Sequence, residues 1–473
     1  MLQSSRMSLA FAALMVASLP VAAHALTYEV GPGKPYANVG DVPWESLNAG
    51  DTVLIHYRAT PYREKFVLSR VGTPSQPIVV RGVLGPNGER PILDGDGATT
   101  RAQLDYYSRD RGVIKIGGSS VPFADGSNVM PKWLVIENLE IRGARPPHTY
   151  TAPNGRVESY TNPAASVYLE FGENVTVRNC DLHDNGNGFF AFSSNTIATR
   201  NLLLEGNHIH DNGNPGSNFE HNVYVEAIGV TYQYNHFGAP LPGAGGNNIK
   251  DRSAGLVVRY NWVEGSNRQF DLVDAEDSSL VRAHPGYRAA HVYGNLVIEH
   301  PNSGNNDIVY YGGDSGVPQN YRKGTLYFYN NTVVSDRTNA TRLFRMATNA
   351  ESIDARNNIA SVTAAGSNLK VLDDYGRLKL TQNWFKTGWT PFNVGNPHGT
   401  IVNNGTVTGS TPGFVSEAGQ DYHLLASSQC IDEGAPLSPK VLPLHDVVRE
   451  YVKHQLGAPR ARNGPFDIGA FEF

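Results

Sequence analysis

The chain has 473 residues, with 39 Lys and Arg against 44 Asp and Glu, a formal net charge of −5. That balance argues against a partner held by counterion release on a nucleic acid, so no nucleic-acid partner is expected. A polyanionic ligand would need a local basic patch, because the average charge gives it no help. Two cysteines, Cys180 and Cys430, are too few for a disulfide framework, and each is equally readable as a small buried hydrophobe.

The chain opens with Arg6, an apolar run from Ser8 to Leu19, and Ala23-His24-Ala25, a pattern that fits an export signal with a small-x-small cleavage site. The run is shorter than the ~20 apolar residues a bilayer span needs, and no later segment is longer. Residues 1–25 are therefore expected to be a signal peptide, and the remainder a secreted or periplasmic protein, acting as a monomer, without a membrane span.

From Leu26 onward, Gly, Asn, Tyr and Val are abundant and sustained 3.6-residue periodicity is missing, which predicts an all-β protein. Tyr36 to Leu47, with Pro43 and Trp44, reads as a cap over an open end. Thr52-Val-Leu-Ile-His, Ile78-Val-Val-Arg-Gly, Val113-Ile-Lys-Ile-Gly and Trp133-Leu-Val-Ile-Glu-Asn138 read as the first coils, with Lys115 and Arg142 as surface charges.

One phrase then repeats: alternating apolar residues, Asn, and another alternating stretch. Its copies centre on Asn179, Asn207, Asn235, Asn261, Asn295, Asn331, Asn358 and Asn383, at spacings of 28, 28, 26, 34, 36, 27 and 25. Periods of this size belong to solenoids or propellers. Each period carries only two or three short strand-like runs, whereas a propeller blade needs four. Equivalent residues of successive solenoid coils stack at the ~4.8 Å interstrand distance, so recurring buried Asn side chains can bond one another as a ladder. The prediction is a parallel β-helix over 26–404, with an asparagine ladder and an N-terminal cap. The Pro-containing stretch 405–473 is expected to be an irregular tail packed along it.

Each coil also carries a second run, among them Gly188-Phe-Phe-Ala-Phe, His221-Asn-Val-Tyr-Val-Glu226, Asn247-Asn-Ile-Lys-Asp-Arg252, Gln269-Phe-Asp-Leu-Val-Asp274 and Asp307-Ile-Val-Tyr-Tyr311. If Val225, Ile249 and Leu272 point inward, the period of two turns Tyr224, Glu226, Asn248, Lys250 and Asp271 outward on adjacent rungs. Arg252 and His221 lie close by, Tyr310 and Tyr311 flank the charges, and the loop from Phe237 to Gly246 is placed to wall a groove. The catalytic candidates are Lys250, Arg252, His221 and Tyr224. The substrate-binding candidates are Glu226, Asp271, Asn248, Tyr310 and Tyr311. His183, His208 and His210 read as turn caps, and His284 lies in a loop within reach of the groove.

The opening Gly-Pro-Gly-Lys-Pro-Tyr (Gly31 to Tyr36) and the closing Asp467-Ile-Gly-Ala-Phe-Glu resemble bacterial right-handed β-helix proteins of the pectate lyase superfamily. The run Ile249-Lys250-Asp251-Arg252 followed by Arg259-Tyr260-Asn261 is similar to polysaccharide lyase family six, the alginate lyase and chondroitinase branch. The resemblance implies a right-handed coil, an acidic polysaccharide as substrate and β-elimination with Lys250 at the base position. The branch's later Arg would fall near Asp271, and its metal-binding acids would fall on Gly245 and Gly243. A Ca²⁺ site, if present, would have to use Glu226, Asp271 and Asp274 in another arrangement. Two alternatives stand beside this reading. One is a polygalacturonase-like hydrolase using carboxylates among Asp271, Asp274, Glu276 and Asp277, although Asp271 and Asp274 differ by three in a strand and face opposite sides. The other is a non-catalytic carbohydrate-binding or adhesive β-helix.

Overall fold

The computed structural model describes residues 25–101, 108–117, 130–301 and 303–473. All but the last residue of the expected export signal lies outside the described residues.

Short apolar runs separated by tight corners leave each coil unable to bury its inner face alone, and stacking solves the problem. Among the described residues the coils build sheets of 13, 14 and 11 strands. Neighbouring strands are parallel, as in Val175↔Leu202↔Val230↔Leu256, apart from the hairpin of Thr149–Thr151 with Val157–Ser159. The fold is a right-handed parallel β-helix. Val, Ile, Leu and Phe from all three sheets fill one continuous core along its axis. At the first coil, Trp44 is fully buried and stacks on Phe66 with ring centroids 3.8 Å apart, closing the open end.

The ladder is present, with one correction at its start. Asn207 Nδ2 donates to Asn235 Oδ1 at 2.9 Å, and the pattern continues through Asn261, Asn295, Asn331, Asn358 and Asn383 at 2.9–3.0 Å. Asn179 is not a member. The strand register pairs Arg178 with Glu205, so Cys180 takes the ladder position and donates its backbone N–H to Asn207 Oδ1. Asn179 sits one residue earlier with φ 51°, as do Gly206, Tyr234, Tyr260 and Gly294 with φ between 54° and 66°. From Asn138 to Gln382 each coil turns this corner through a left-handed residue, a conformation Asn and Gly adopt at low cost, and where the phrase carries two Asn the first serves the corner.

Thr406–Gly409 is the last strand paired to the 11-strand sheet. The following chain lies along the solenoid, where corner residues hold it: Asn330 donates to the Asp467 carbonyl and Asn357 to that of Ala435. Ile468, Ala470 and Phe471 bury against the face that carries Trp262, Leu296 and Trp384. Cys180 and Cys430 are both free and buried. Lys115 corrects a sequence expectation: it is fully buried and paired with Glu170 at 3.4 Å. No described helix is long and apolar enough to cross a membrane.

Candidate active site

The second runs all lie in the 14-strand sheet, and its register sets the site. Phe190, Tyr224, Lys250, Asp271, Tyr310 and Arg345 are successive partners on adjacent coils. They form one column on the outer surface. Val225, Ile249 and Leu272 point into the core, and the alternation therefore turns Tyr224, Lys250 and Asp271 outward as expected.

Outward does not mean solvated. A groove of ≈ 620 Å³ lies over the column, lined by His221, Tyr224, Lys250, Arg252, Arg268 and Asp271, together with Asn218, Phe219, Asp314 and Ser315 from neighbouring loops. The 237–246 loop does not line it. That loop stands behind the 213–220 loop, with Gly245 N–H donating to the Ser217 carbonyl and Gly216 N–H to that of Gly243.

Lys250 Nζ is 2.7 Å from Asp271 Oδ2 and also contacts Asp314 Oδ2. Arg252 Nη1 reaches Asp314 Oδ1 at 2.9 Å, and Nη2 reaches Glu276 at 3.1 Å. The Asp314 carboxylate thus bridges Lys250 and Arg252 across the groove floor. Its loop is fixed by Asp274, which is fully buried and accepts the N–H groups of Asp314 and Ser315. Asp274 therefore positions the loop and does not face the groove. Arg268 approaches Asp271 at 3.6 Å, and Asn247 donates to Asp271 at 3.0 Å.

The two proton-donor candidates differ in chemistry. His221 Nδ1 accepts the Asn247 backbone N–H at 2.9 Å, so the neutral ring carries its proton on Nε2. Burial, reinforced by Lys250 and Arg252, holds this imidazole well below its usual range. Tyr224 Oη accepts from Arg252 Nε at 3.1 Å, which leaves its own O–H free to donate, and burial raises the phenol so that it keeps that proton.

Four sequence expectations are corrected. Asn248 is fully buried at a corner, where it links Asn222 (2.6 Å) to Gln269 (2.7 Å) in a second internal amide chain that runs from Asn185 to Glu299. Tyr311 points into the core. Glu226 is buried and accepts the backbone N–H groups of Glu276, Asp277 and Ser278; burial pushes its carboxyl up to about 7 against the pull of those amides. It orients the segment that carries Glu276 and touches no groove space. His284 caps its own turn by accepting the Gly286 N–H. Tyr310 lies between Arg268 and Arg345, each 5.2 Å from its ring, and donates to the Gly313 carbonyl. It buttresses the Asp314 loop.

Asp314, Arg268, Asn247 and Phe219 were missed by sequence reasoning. Phe219 gave a signal, an aromatic residue in a Gly/Pro/Ser loop directly before His221. Its side chain is 81% exposed at the rim. Asp314 gave none, since its loop comes 64 residues after Lys250. The carboxylates proposed for Ca²⁺ do not fit that ion. Glu226 spends its oxygens on backbone amides and Asp274 on the amides and hydroxyl of Asp314 and Ser315, and with Asp271 they form no converging set among the described residues.

Fold and site together define a right-handed parallel β-helix with a polar, mixed-charge groove across the outer face of one sheet. Comparison with the solved pectate lyase Pel9A supports the fold. Pectate lyase Pel9A matches with TM-score 0.50 and 12% identity, over 95% of this chain and 97% of that one. The GH136 lacto-N-biosidase from Eubacterium ramulus matches at TM-score 0.42 and 13% identity, over 81% and 67%. A mannuronic acid specific polysaccharide family 6 lyase from human gut microbiota matches at 0.34 and 12%, over 76% and 87%. A scan against protein-family models finds no match, and a sequence search of curated proteins finds none.

Proposed function

We propose that the protein is an exported carbohydrate-active enzyme that cleaves a uronic-acid-containing polysaccharide by β-elimination. The observation that carries this reading is the placement of Lys250 and Arg252, two residues apart on one coil, on the floor of one groove with the Tyr224 hydroxyl hydrogen-bonded to Arg252. The fold shared with a pectate lyase is compatible with it, and a fold by itself hosts many activities.

In this reaction Lys250, unprotonated, removes the C5 proton α to the uronate carboxylate. The C–H electrons form the C4–C5 double bond, the C4–O bond breaks, and the departing oxygen takes a proton from Tyr224. Charge developing on the carboxylate needs preorganised cations, which Arg252 and Arg268 supply. The Asp314 carboxylate already sits between Lys250 and Arg252, the place a substrate carboxylate would take. Substrate binding therefore displaces Asp314, and that displacement removes one of the two carboxylates that pair with Lys250. Phe219 at the rim offers an apolar face to a sugar ring.

One observation favours a second reading. Asp271 and Asp314 both contact Lys250 Nζ, which puts their nearest oxygens no more than about 5 Å apart, at the lower end of the ~5–9.5 Å spacing that glycoside hydrolysis uses. A single assay separates the two. The purified protein is incubated with alginate, pectate, glycosaminoglycans and bacterial exopolysaccharides, with ultraviolet absorbance and reducing ends followed together. Unsaturated ends, at a rate that rises with pH as a lysine base requires, support elimination. Reducing ends without them establish hydrolysis, and neither across the panel refutes both.

A further inference from the structure

The histidines that follow the repeated phrase pair with carboxylates instead of capping turns as expected: His183 with Glu140, His208 with Asp181, and His210 with Asp181 and Asp211. His208 pairs in register with Asp181 of the preceding coil on the 11-strand sheet, and His210, two residues on, shares its face. Asp181 Oδ1 lies 3.0 Å from His210 Nε2 and 3.6 Å from His208 Nδ1. The three ligating atoms all fall within 4.8 Å of one another, and no other group of three His, Cys, Asp or Glu among the described residues does so. A tetrahedral ion with ligands at ~2.0–2.1 Å separates those ligands by roughly 3.3 Å, and the two Asp181–His separations bracket that value.

A second observation concerns orientation. The remaining ring nitrogen of His210, Nδ1, is 2.6 Å from the Asp211 carboxylate. A carboxylate on the far nitrogen is the arrangement that fixes the ring and its tautomer at metal centres. His208 stacks on His210 with centroids 3.8 Å apart and planes at 24°, so one ring must tilt for both lone pairs to meet a single ion. All three side chains are partly open to solvent, at 21–29% exposure, so an ion has an entry path and a free fourth position for water.

We propose that Asp181, His208 and His210 form a binding site for one divalent transition-metal ion of the zinc class, joining two successive coils on a sheet separate from the groove. The ligand set, two imidazoles and one carboxylate, suits zinc and disfavours the all-oxygen ions calcium and magnesium.

The test uses the full chain after chelator treatment and dialysis. Zn²⁺ titrated calorimetrically should bind with one equivalent per chain, and saturating Zn²⁺ should raise Tm by several degrees, since an ion that binds only the folded state stabilises it by mass action. Co²⁺ in its place should give the visible absorption of a four-coordinate N/O site, and Ca²⁺ should give neither effect. His208→Ala and His210→Ala should each abolish the Tm rise. Asp211→Asn keeps the surface and the backbone, so it serves where an alanine variant folds poorly; it should weaken Zn²⁺ binding by ~10–100-fold through loss of the orienting carboxylate. His236→Ala, in the same ring stack but paired with Glu264, should leave binding intact. No saturable binding to the parent chain overturns the proposal, as does unchanged affinity in both His210→Ala and Asp211→Asn.

Discussion

Lys250 Nζ and Asp271 Oδ2 lie 2.7 Å apart on neighbouring coils, with side chains only 8% and 2% exposed. By strand alternation Lys250 faces outward, which predicts little contribution to folding; the Asp314 loop covers it and makes the pair a buried one. Removing one partner of a buried ion pair costs about 3–5 kcal/mol. Lys250→Ala should therefore lose both Tm and activity, and cannot separate the two roles. Lys250→Arg keeps a cation opposite Asp271 but holds its proton at any working pH. It should keep a near-parental Tm while kcat falls by ~10²–10⁴, the usual worth of a general base. A Lys250→Arg protein within tenfold of parental kcat removes Lys250 from the base role.

Tyr224, rather than His221, is the expected proton donor. Tyr224→Phe should lower kcat by ~10²-fold or more with KM little changed. His221→Asn should cost less than tenfold, because a neutral imidazole whose Nδ1 already accepts a backbone N–H is a weak acid. Steady-state kinetics of the two variants, on whichever substrate the panel identifies, ranks them. The reverse order would assign the protonation to His221.

The ladder's stability can be read at its middle. Asn261 Nδ2 donates to the Tyr232 carbonyl and to Asn295 Oδ1, and its Oδ1 accepts from the backbone and side chain of Asn235. Asn261→Leu strands several of these buried groups at ~1–3 kcal/mol each. A fall in Tm of many degrees by calorimetry is expected, and a parental Tm would show that these groups find other partners.

Acid should destabilise the fold through one buried and two half-buried histidines. Burial holds His291 at about 3, and His445, which stacks on it at 3.8 Å, and His454 at about 4, all below the ordinary 6.5. Groups with a depressed folded-state value contribute stability that is complete above about pH 6.5 and is lost as pH falls through about 4. Tm should decline from pH 6 to 4 to the extent that these histidines outweigh Glu226, whose carboxyl, raised to about 7, contributes the opposite slope as it protonates. His291→Phe keeps a ring against Tyr327 and His445 without the charge. It should decline less steeply, and an unchanged slope would place the acid sensitivity elsewhere.

The sequence by itself determined the solenoid. A repeat every 25–36 residues forces each coil to bury its apolar face against identical neighbours, and the alternation within each run assigns faces. That was enough to put Tyr224, Lys250 and Asp271 in one outward column and to find seven of the eight ladder positions. It misplaced the first because Asn179-Cys180 offers the Asn to the left-handed corner, and only the pairing of Arg178 with Glu205 shows which residue turns inward. The tertiary structure decided what covers the column. Asp314 reaches Lys250 from a loop on another coil, Asp274 turns away to hold that loop, and Glu226 turns away to hold another. Asn248 obeys the corner rather than the alternation. These outcomes depend on contacts between coils whose loops have no common period, so a local pattern of residues carries no record of them, whereas strand pairing recurs at a fixed 4.8 Å spacing and leaves its period in the chain.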